Sequence, residues 1–105
     1  MVLAVFKYAV KPGRMDDFMA KLQQAASPKF NSLVMPQGIR LMRSTVPGPD
    51  TGAVFLMIEY ADMAAYGSRT AFENSNAEWK KLFAAREDSP EQLLSVELFT
   101  EIQPA

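Results

Sequence analysis

The chain has 105 residues, 49% of them hydrophobic and 22% charged, which is enough apolar content for one packed domain and too much for a disordered segment. The formal net charge of −1 leaves no broad basic surface for a nucleic acid or an anionic membrane. No apolar run approaches the ~20 residues needed to cross a bilayer. We therefore expect a single domain over residues 1–105, located in the cytoplasm.

Cysteine and histidine are both absent from the sequence. Without cysteine there is no disulfide, no thiolate metal site and no thiol nucleophile. Without histidine the chain lacks the commonest general base, the commonest metal ligand and the usual protein ligand of haem. We therefore predict no metal and no cofactor, and any catalysis would depend on the remaining polar side chains or on the substrate's own reactivity.

The first third of the chain predicts a strand followed by a broken helix. Residues 2–10 are β-branched and aromatic, with apolar residues on both parities, which is typical of a strand covered on both faces. Over 15–25, apolar residues recur at three- and four-residue steps and predict a helix. Pro28 then either begins a short second helix or kinks a single one. The inward residues of that segment are predicted to be Phe30, Leu33 and Val34.

Two further strands are predicted in the middle of the chain. Residues 39–46 alternate in polarity and form a strand with one less buried face. Residues 47–52 are dense in turn formers and predict a wide hairpin loop. Residues 53–60 are apolar until Glu59 and form the clearest strand of the sequence.

The last part of the chain predicts another broken helix and a final strand. Asp62 is suited to cap a helix, and residues 75–78 read Ser-Asn-Ala-Glu, the pattern of a capping box that restarts it. The final strand is predicted over 93–102. Its apolar side is expected to comprise Leu94, Val96, Leu98 and Ile102.

The resulting order, β-α-β-β-α-β, is that of the ferredoxin-like α+β fold, a four-stranded antiparallel sheet with both helices on one face. The first, third and fourth strands carry apolar residues on both parities. The face without helices would therefore be too hydrophobic to remain in water. We expect a second copy of the chain to cover it, which makes a homodimer with an isologous interface.

The third strand and the residues after it resemble one protein superfamily. The resemblance rests on Glu59-Tyr60-Ala61-Asp62 at the end of the strand, Arg69 in the helix and Glu78-Trp79 at the next turn. Together with the element order, they resemble the dimeric α+β barrel superfamily over nearly the whole chain. Within it they are most similar to the NIPSNAP-type proteins and less similar to the antibiotic-biosynthesis monooxygenases.

Charged residues within the predicted strands have two interpretations. Lys7, Arg43 and Glu59 fall in segments expected to be partly buried, as does Glu97. They either line a cleft, where Lys7 or Arg43 would receive an anionic oxygen, or form structural ion pairs. Because Lys7 and Glu59 lie on strands that neighbour each other in this fold, pairing between them is favoured.

An aromatic cluster marks the candidate ligand site. Tyr66 and Arg69 lie one helical turn apart, and the helix break could bring Trp79 back towards them. With Lys7 and Tyr8, these residues would bind a flat apolar molecule with one polar edge. The alternative is that Trp79 packs as core and the tyrosine hydroxyls find local partners.

Three functions remain open from the sequence. The first is a small-molecule binding protein with a cleft between sheet and helices. The second is a cofactor-independent monooxygenase or isomerase acting on an aromatic or polyketide-like substrate, with Arg43 or Arg69 stabilising an oxyanion and Glu59 or a tyrosine moving a proton. The third is a structural dimerisation module. RNA-recognition domains share this topology, but residues 52–58 offer one aromatic and no basic residue for stacking on bases.

Overall fold

A computed structural model describes residues 1–31, 38–46, 48–49 and 51–103 of the chain. Its four strands form one antiparallel sheet in the order β2-β3-β1-β4, with all three pairings antiparallel. The strands are β1 (Val2–Val10), β2 (Gly38–Arg43), β3 (Val54–Tyr60) and β4 (Glu91–Thr100). The helices are α1 (Met15–Ala25), α2 (Pro28–Asn31), α3 (Met63–Ser75) and α4 (Ala77–Leu82). The predicted ferredoxin-like α+β arrangement is confirmed.

One face of the sheet carries the helices and the core. Alternate residues of β1 and β3 face this layer, because cross-strand partners project to the same side of a sheet. They form two buried clusters, one of Val2, Ala4 and Tyr60, the other of Tyr8, Phe18 and Val54. Phe18 of α1 is fully buried and its ring lies 5.0 Å from that of Tyr8.

The opposite face of the sheet, called here the open face, has no described helix packed on it. Its register places apolar and charged residues side by side. The apolar members are Leu3, Val5, Met42, Phe55, Met57 and Phe99. The charged members are Lys7, Arg40, Glu59 and Glu97. Large apolar side chains are therefore half-buried or exposed here, Met42 at 49% and Phe99 at 48%.

Both helix breaks form where the sequence indicates. α1 ends at Ala25 and α2 restarts at Pro28, so the two-helix alternative is confirmed over a single kinked helix. Phe30 is buried as predicted, while Leu33 and Val34 lie outside the described residues.

Asp62 caps α3, its side chain accepting a hydrogen bond from the backbone N–H of Ala65 at 2.8 Å. The predicted capping box is displaced by one residue. Asn76, and not Ser75, caps α4 by accepting from the N–H of Trp79 at 3.0 Å. Glu78 instead forms an ion pair with Lys29.

Two strands, β2 and β4, differ from their predicted bounds by two residues or more, and Ile102, predicted on the apolar side of the last strand, lies beyond β4 and is exposed. β2 ends at Arg43, because Ser44 exchanges hydrogen bonds with Ala53 and Gly52 and the chain turns there. Gly52 has φ +85°, a conformation that favours glycine. β4 starts at Glu91, and its register against β1 shifts between Lys7 and Tyr8.

This register shift is a β-bulge that corrects the predicted apolar side of β4. Lys7 pairs with Ser95 and Tyr8 with Leu93, which leaves Leu94 as the extra residue. Leu93 and Glu91 therefore face the helix side, with Tyr8 and Val10, and Leu93 takes the place predicted for Leu94. No helix in the described parts of the chain is long and apolar enough to span a membrane.

Candidate functional site

A cleft of about 910 Å³ lies between the helix-covered face of the sheet and the helices. Its floor is formed by side chains of β1, β2 and β3 that face the helices, and its walls by α1, α3, α4 and the start of β4. Most of its lining is apolar or aromatic, including Phe6, Met19, Leu22, Ile39, Leu41, Leu56, Ile58, Trp79 and Phe83. The polar lining includes Tyr8, Tyr60, Arg69, Glu73 and Glu91.

Arg69 of α3 is the most buried charged residue of the site, with 4% of its surface exposed. Its Nε donates to Glu73 Oε2 at 2.8 Å, one turn further along the helix, and Nη1 donates to the carbonyl oxygen of Phe30 in α2. Its guanidinium also lies 4.9 Å from the centre of the Trp79 ring. Arg69 therefore connects α3 to both α2 and α4 at one end of the cleft.

Trp79 is one wall of the cleft and does not fill it. Its ring meets Phe30 edge-on at 5.3 Å and lies 4.8 Å from Phe83. The cap by Asn76 sets the direction of α4 and so turns this ring back over Arg69, as the helix break predicts. The apolar wall is therefore positioned by packing on three sides.

Glu73 is the carboxylate that the helices bring to the cleft. Burial raises its pKa above the usual value, against the opposing effect of the hydrogen bond and charge of Arg69. Only Oε2 is used by Arg69; among the described residues, Oε1 accepts no hydrogen bond. The side chain is 24% exposed, so this oxygen remains available to a molecule in the cleft.

Tyr8 and Tyr60 contribute two phenol groups to the lining of the cleft, from opposite ends of the β1–β3 pairing. Each is 5% exposed or less, and burial raises both pKa values, that of Tyr60 to about 12. The charges of Glu91 and then Glu73 raise the pKa of Tyr8 further, and the charge of Glu73 raises that of Tyr60. Neither hydroxyl hydrogen-bonds a described residue. Every fully buried polar side-chain atom in the described part of the chain has a hydrogen-bond partner. The two hydroxyl oxygens have none among those residues, so each must retain some contact with solvent. Both phenols thus stay protonated and face the cleft as neutral hydrogen-bond donors.

A second ion pair borders the cleft at the start of β4. Lys21 Nζ contacts both carboxylate oxygens of Glu91, at 2.8 and 3.0 Å, and the two side chains are 11% and 7% exposed. The same ammonium lies 5.2 Å from the centre of the Phe83 ring. The bulge in β4 places Glu91 on this side of the sheet, so the pair joins α1 to the rim of the cleft.

The structure separates the predicted ligand-binding residues into two groups. Tyr8, Arg69 and Trp79 line the cleft. Tyr66 does not line it; its ring packs edge-on against Tyr60 at 5.4 Å within the core cluster of Val2 and Ala4. Lys7 lies on the open face, opposite Phe55.

The three candidate catalytic residues are not brought together. Glu59 is on the open face, Arg43 is exposed at the end of the edge strand β2, and Arg69 is buried on the helix side. The expected pairing of Lys7 with Glu59 is wrong. Their strands are neighbours, but the register puts them four residues apart, about 13 Å along the sheet. Glu59 instead lies over Gly38, where a Cβ would come within 3.3 Å of its Oε2.

Sequence reasoning missed Glu73 and Glu91 as parts of the site, whereas Tyr60 belongs to the aromatic group that it singles out. For Glu73 a signal was present, since it follows Arg69 by four residues on the same helical face. For Glu91 there was none, because its side of the sheet depends on the bulge. In the described residues, no group of three or more acidic side chains is placed to hold a metal ion.

Neither a protein-family model nor a curated protein matches the chain. Solved structures resemble it over nearly its full length. A Bordetella bronchiseptica protein assigned to the antibiotic biosynthesis monooxygenases is 24% identical, with 97% of each chain covered and a TM-score of 0.63. An uncharacterised NIPSNAP domain protein from Burkholderia xenovorans is 13% identical, covering 100% of this chain and 96% of its own, with a TM-score of 0.66.

A third similar structure is a mutant of MhuD with two manganese protoporphyrin IX molecules bound per active site. It is 15% identical, and the match covers 100% of this chain and 98% of that one with a TM-score of 0.66. The predicted resemblance to NIPSNAP-type proteins and to antibiotic biosynthesis monooxygenases is therefore confirmed at the level of structure. The chain has the ferredoxin-like α+β fold that these proteins share.

Proposed function

We propose that this protein binds a small, flat, apolar molecule in the cleft between its sheet and helices. The observation that carries the proposal is the cleft itself, about 910 Å³ of mainly apolar and aromatic lining with a few convergent polar groups. Ligand pockets of drug-sized molecules are typically ~300–1,000 Å³ and are built in this way. A protein that served only as a dimerisation module would not require an open cleft of this volume next to two buried ion pairs.

The similar structures support this interpretation. MhuD, with the same fold, holds two large flat porphyrins in its active site. The present chain has no histidine to ligate a haem iron. The proposal is accordingly for an apolar ligand held by packing and hydrogen bonds, with Tyr8, Arg69 and Trp79 on its walls.

Nile red, an uncharged flat dye, tests the proposal. We expect it to bind one molecule per chain at micromolar concentration, with enhanced dye emission and a change in the fluorescence of Trp79, which is the only tryptophan. Ala25→Phe, in α1 on the cleft wall, should weaken binding at least roughly tenfold by occupying the space. The matched control is Ala20→Phe, exposed on the same helix. Equal binding by both variants, or none by the wild type, would refute the proposal.

The open face supports a homodimer as the second part of this proposal. Its apolar side chains are too many to leave in water, and it carries both signs of charge, with Lys7 and Arg40 as cations and Glu59 and Glu97 as anions. A two-fold interface needs a self-complementary surface, which a face of mixed sign provides. Sedimentation at micromolar concentration should give twice the chain mass. A monomer there would contradict this part.

A catalytic role is the second candidate function, favoured by Glu73. Its raised pKa and its place in the cleft beside Tyr8 suit a general base acting on a bound carbon acid or phenol. A cofactor-independent oxygenase or isomerase of this kind would use Glu73, whereas Glu59 and Arg43 lie away from the cleft. Oxygen uptake with 1,4-dihydroxynaphthalene above the uncatalysed rate, lost in Glu73→Gln and retained in Glu59→Gln, would support this role. Equal rates with and without protein would exclude it for this substrate.

A further inference from the structure

The charges on the cleft wall are already matched in pairs. Glu73 is bound by Arg69, and Glu91 is bound through both oxygens by Lys21. Both cations are buried against these partners, with side-chain exposures of 5% for Arg69 and 11% for Lys21. Arg69 is further held by the carbonyl oxygen of Phe30. Both cations of the described wall are therefore already engaged by groups of the protein.

Besides the side chains of Gln23, Asn31, Ser89 and Gln92, the cleft offers two kinds of hydrogen-bonding group outside these ion pairs. Glu73 Oε1 is an acceptor with negative charge, and the hydroxyls of Tyr8 and Tyr60 are neutral donors. All three side chains line the same cleft, and the charge of Glu73 raises the pKa of both tyrosines. One molecule there would donate to the carboxylate and accept from a phenol.

We propose that Glu73 determines the specificity of the cleft, selecting uncharged apolar molecules that carry an O–H or N–H donor and rejecting carboxylates. This inference rests on the proposed binding function. An anionic ligand would lose its hydration beside a carboxylate, with Arg69 and Lys21 already engaged, and desolvated charge without a partner is strongly unfavourable. A neutral donor meets no such penalty, and it forms a hydrogen bond to a charged acceptor, which is stronger than one between neutral groups.

Three naphthalene derivatives with one ring system separate the effects of charge and of hydrogen bonding. 2-Naphthol is a neutral donor, 2-methoxynaphthalene lacks the donor, and 2-naphthoate is an anion. Calorimetric titration of the wild-type protein should show 2-naphthol binding at least roughly tenfold more tightly than either of the others, as a hydrogen bond to a charged group implies.

Substitution of Glu73 provides the second half of the test. In Glu73→Gln we expect 2-naphthoate to gain relative to 2-naphthol, so that the preference falls to within about threefold. Glu87→Gln, the same change at an exposed position that does not line the cleft, should leave the preference unaltered. Because the ligand series is measured first on the wild-type protein, the inference remains testable even if Glu73→Gln folds poorly.

The outcomes distinguish this inference from the function on which it rests. Equal affinity for the three compounds, or tighter binding of 2-naphthoate, overturns the role of Glu73 while the cleft remains a ligand site. A preference that survives Glu73→Gln also overturns it. If none of the three compounds binds and Nile red does not bind either, the proposed function is refuted, and the inference with it.

Discussion

The two faces of the sheet have similar apolar content and different surroundings. On the helix side of β1, Val2, Ala4 and Tyr8 are buried to 5% exposure or less. Between them, Leu3 and Val5 face the open side and remain half-buried. Helices cover the first set but stand far enough away at one end to leave a cleft, whereas no described element covers the second. One strand thus contributes to a core and a cleft on one side and, on the other, to the apolar surface that we propose as a dimer interface.

A charge placed on the open face should have the largest effect on the protein. Met57→Lys, at the centre of that face on β3, would introduce two lysines into the proposed two-fold interface, because symmetry repeats every substitution. Both must lose hydration on association, so we expect the dimer dissociation constant to rise at least ~100-fold. Sedimentation velocity across a concentration series measures this shift.

The matched control is Met63→Lys, the same substitution at an exposed position of α3. It should leave the dimer intact, and both variants should retain the secondary structure of the wild type. If Met57→Lys sediments as a dimer over the same concentration range as the wild type, the open face is not the interface.

Removal of Arg69 should have the next largest effect, confined to the helix side. Arg69→Met leaves the Glu73 carboxylate and the Phe30 carbonyl without their buried partner. Breaking a buried ion pair from one side costs about 3–5 kcal/mol in the free energy of unfolding, measured by urea denaturation. The exposed Arg43→Met should cost under about 0.5 kcal/mol. A loss below about 1 kcal/mol for Arg69→Met would mean that solvent reaches the pair.

The smallest predicted effect is a change in the pH dependence of stability. The pKa of Glu73 is raised in the folded protein, so folding favours its protonated form. Its contribution to stability is therefore fully present below the unfolded pKa of about 4.3 and is lost as the pH rises through the folded value. As the pH rises from 4.5 to 7, the difference in unfolding free energy between Glu73→Gln and the wild type should therefore shift in favour of the variant. The exposed Glu87→Gln accounts for the general loss of one charge, and an unchanged difference across this range would contradict the raised pKa.

The sequence predicted the fold because hydrophobic period and turn chemistry act locally. Every strand and helix was found in order, and β1 and α1 have the predicted bounds. The errors arise where local signals compete. Ser75 and Asn76 are both good caps, and the sequence does not indicate which of them turns out of the helix. Residues 44–46 continue an alternating pattern that the hairpin interrupts.

The site was less predictable, because it depends on register. Lys7 and Glu59 lie on adjacent strands. The face on which each side chain lies, and the distance between the two, become known only once Lys7 is seen to pair with Phe55. Arg69 and Trp79 were found because helical spacing and a helix break are visible in sequence. Glu73 could have been found in the same way, as the acidic residue one turn after a buried arginine.

The bulge at Leu94 has a consequence for how this chain tolerates change. A single residue there decides which parity of the first part of β4 faces the helices. Deletion of that one residue would remove the bulge and keep Leu93 opposite Tyr8 and Glu91 opposite Val10, so both would stay on the helix side. A regular ladder that kept Leu94 and paired it with Tyr8 would instead turn Leu93 and Glu91 to the open face and leave Lys21 without its carboxylate. The Lys21–Glu91 pair therefore depends on the bulge, and a substitution that straightens the strand at this point should cost more than the loss of the extra residue itself.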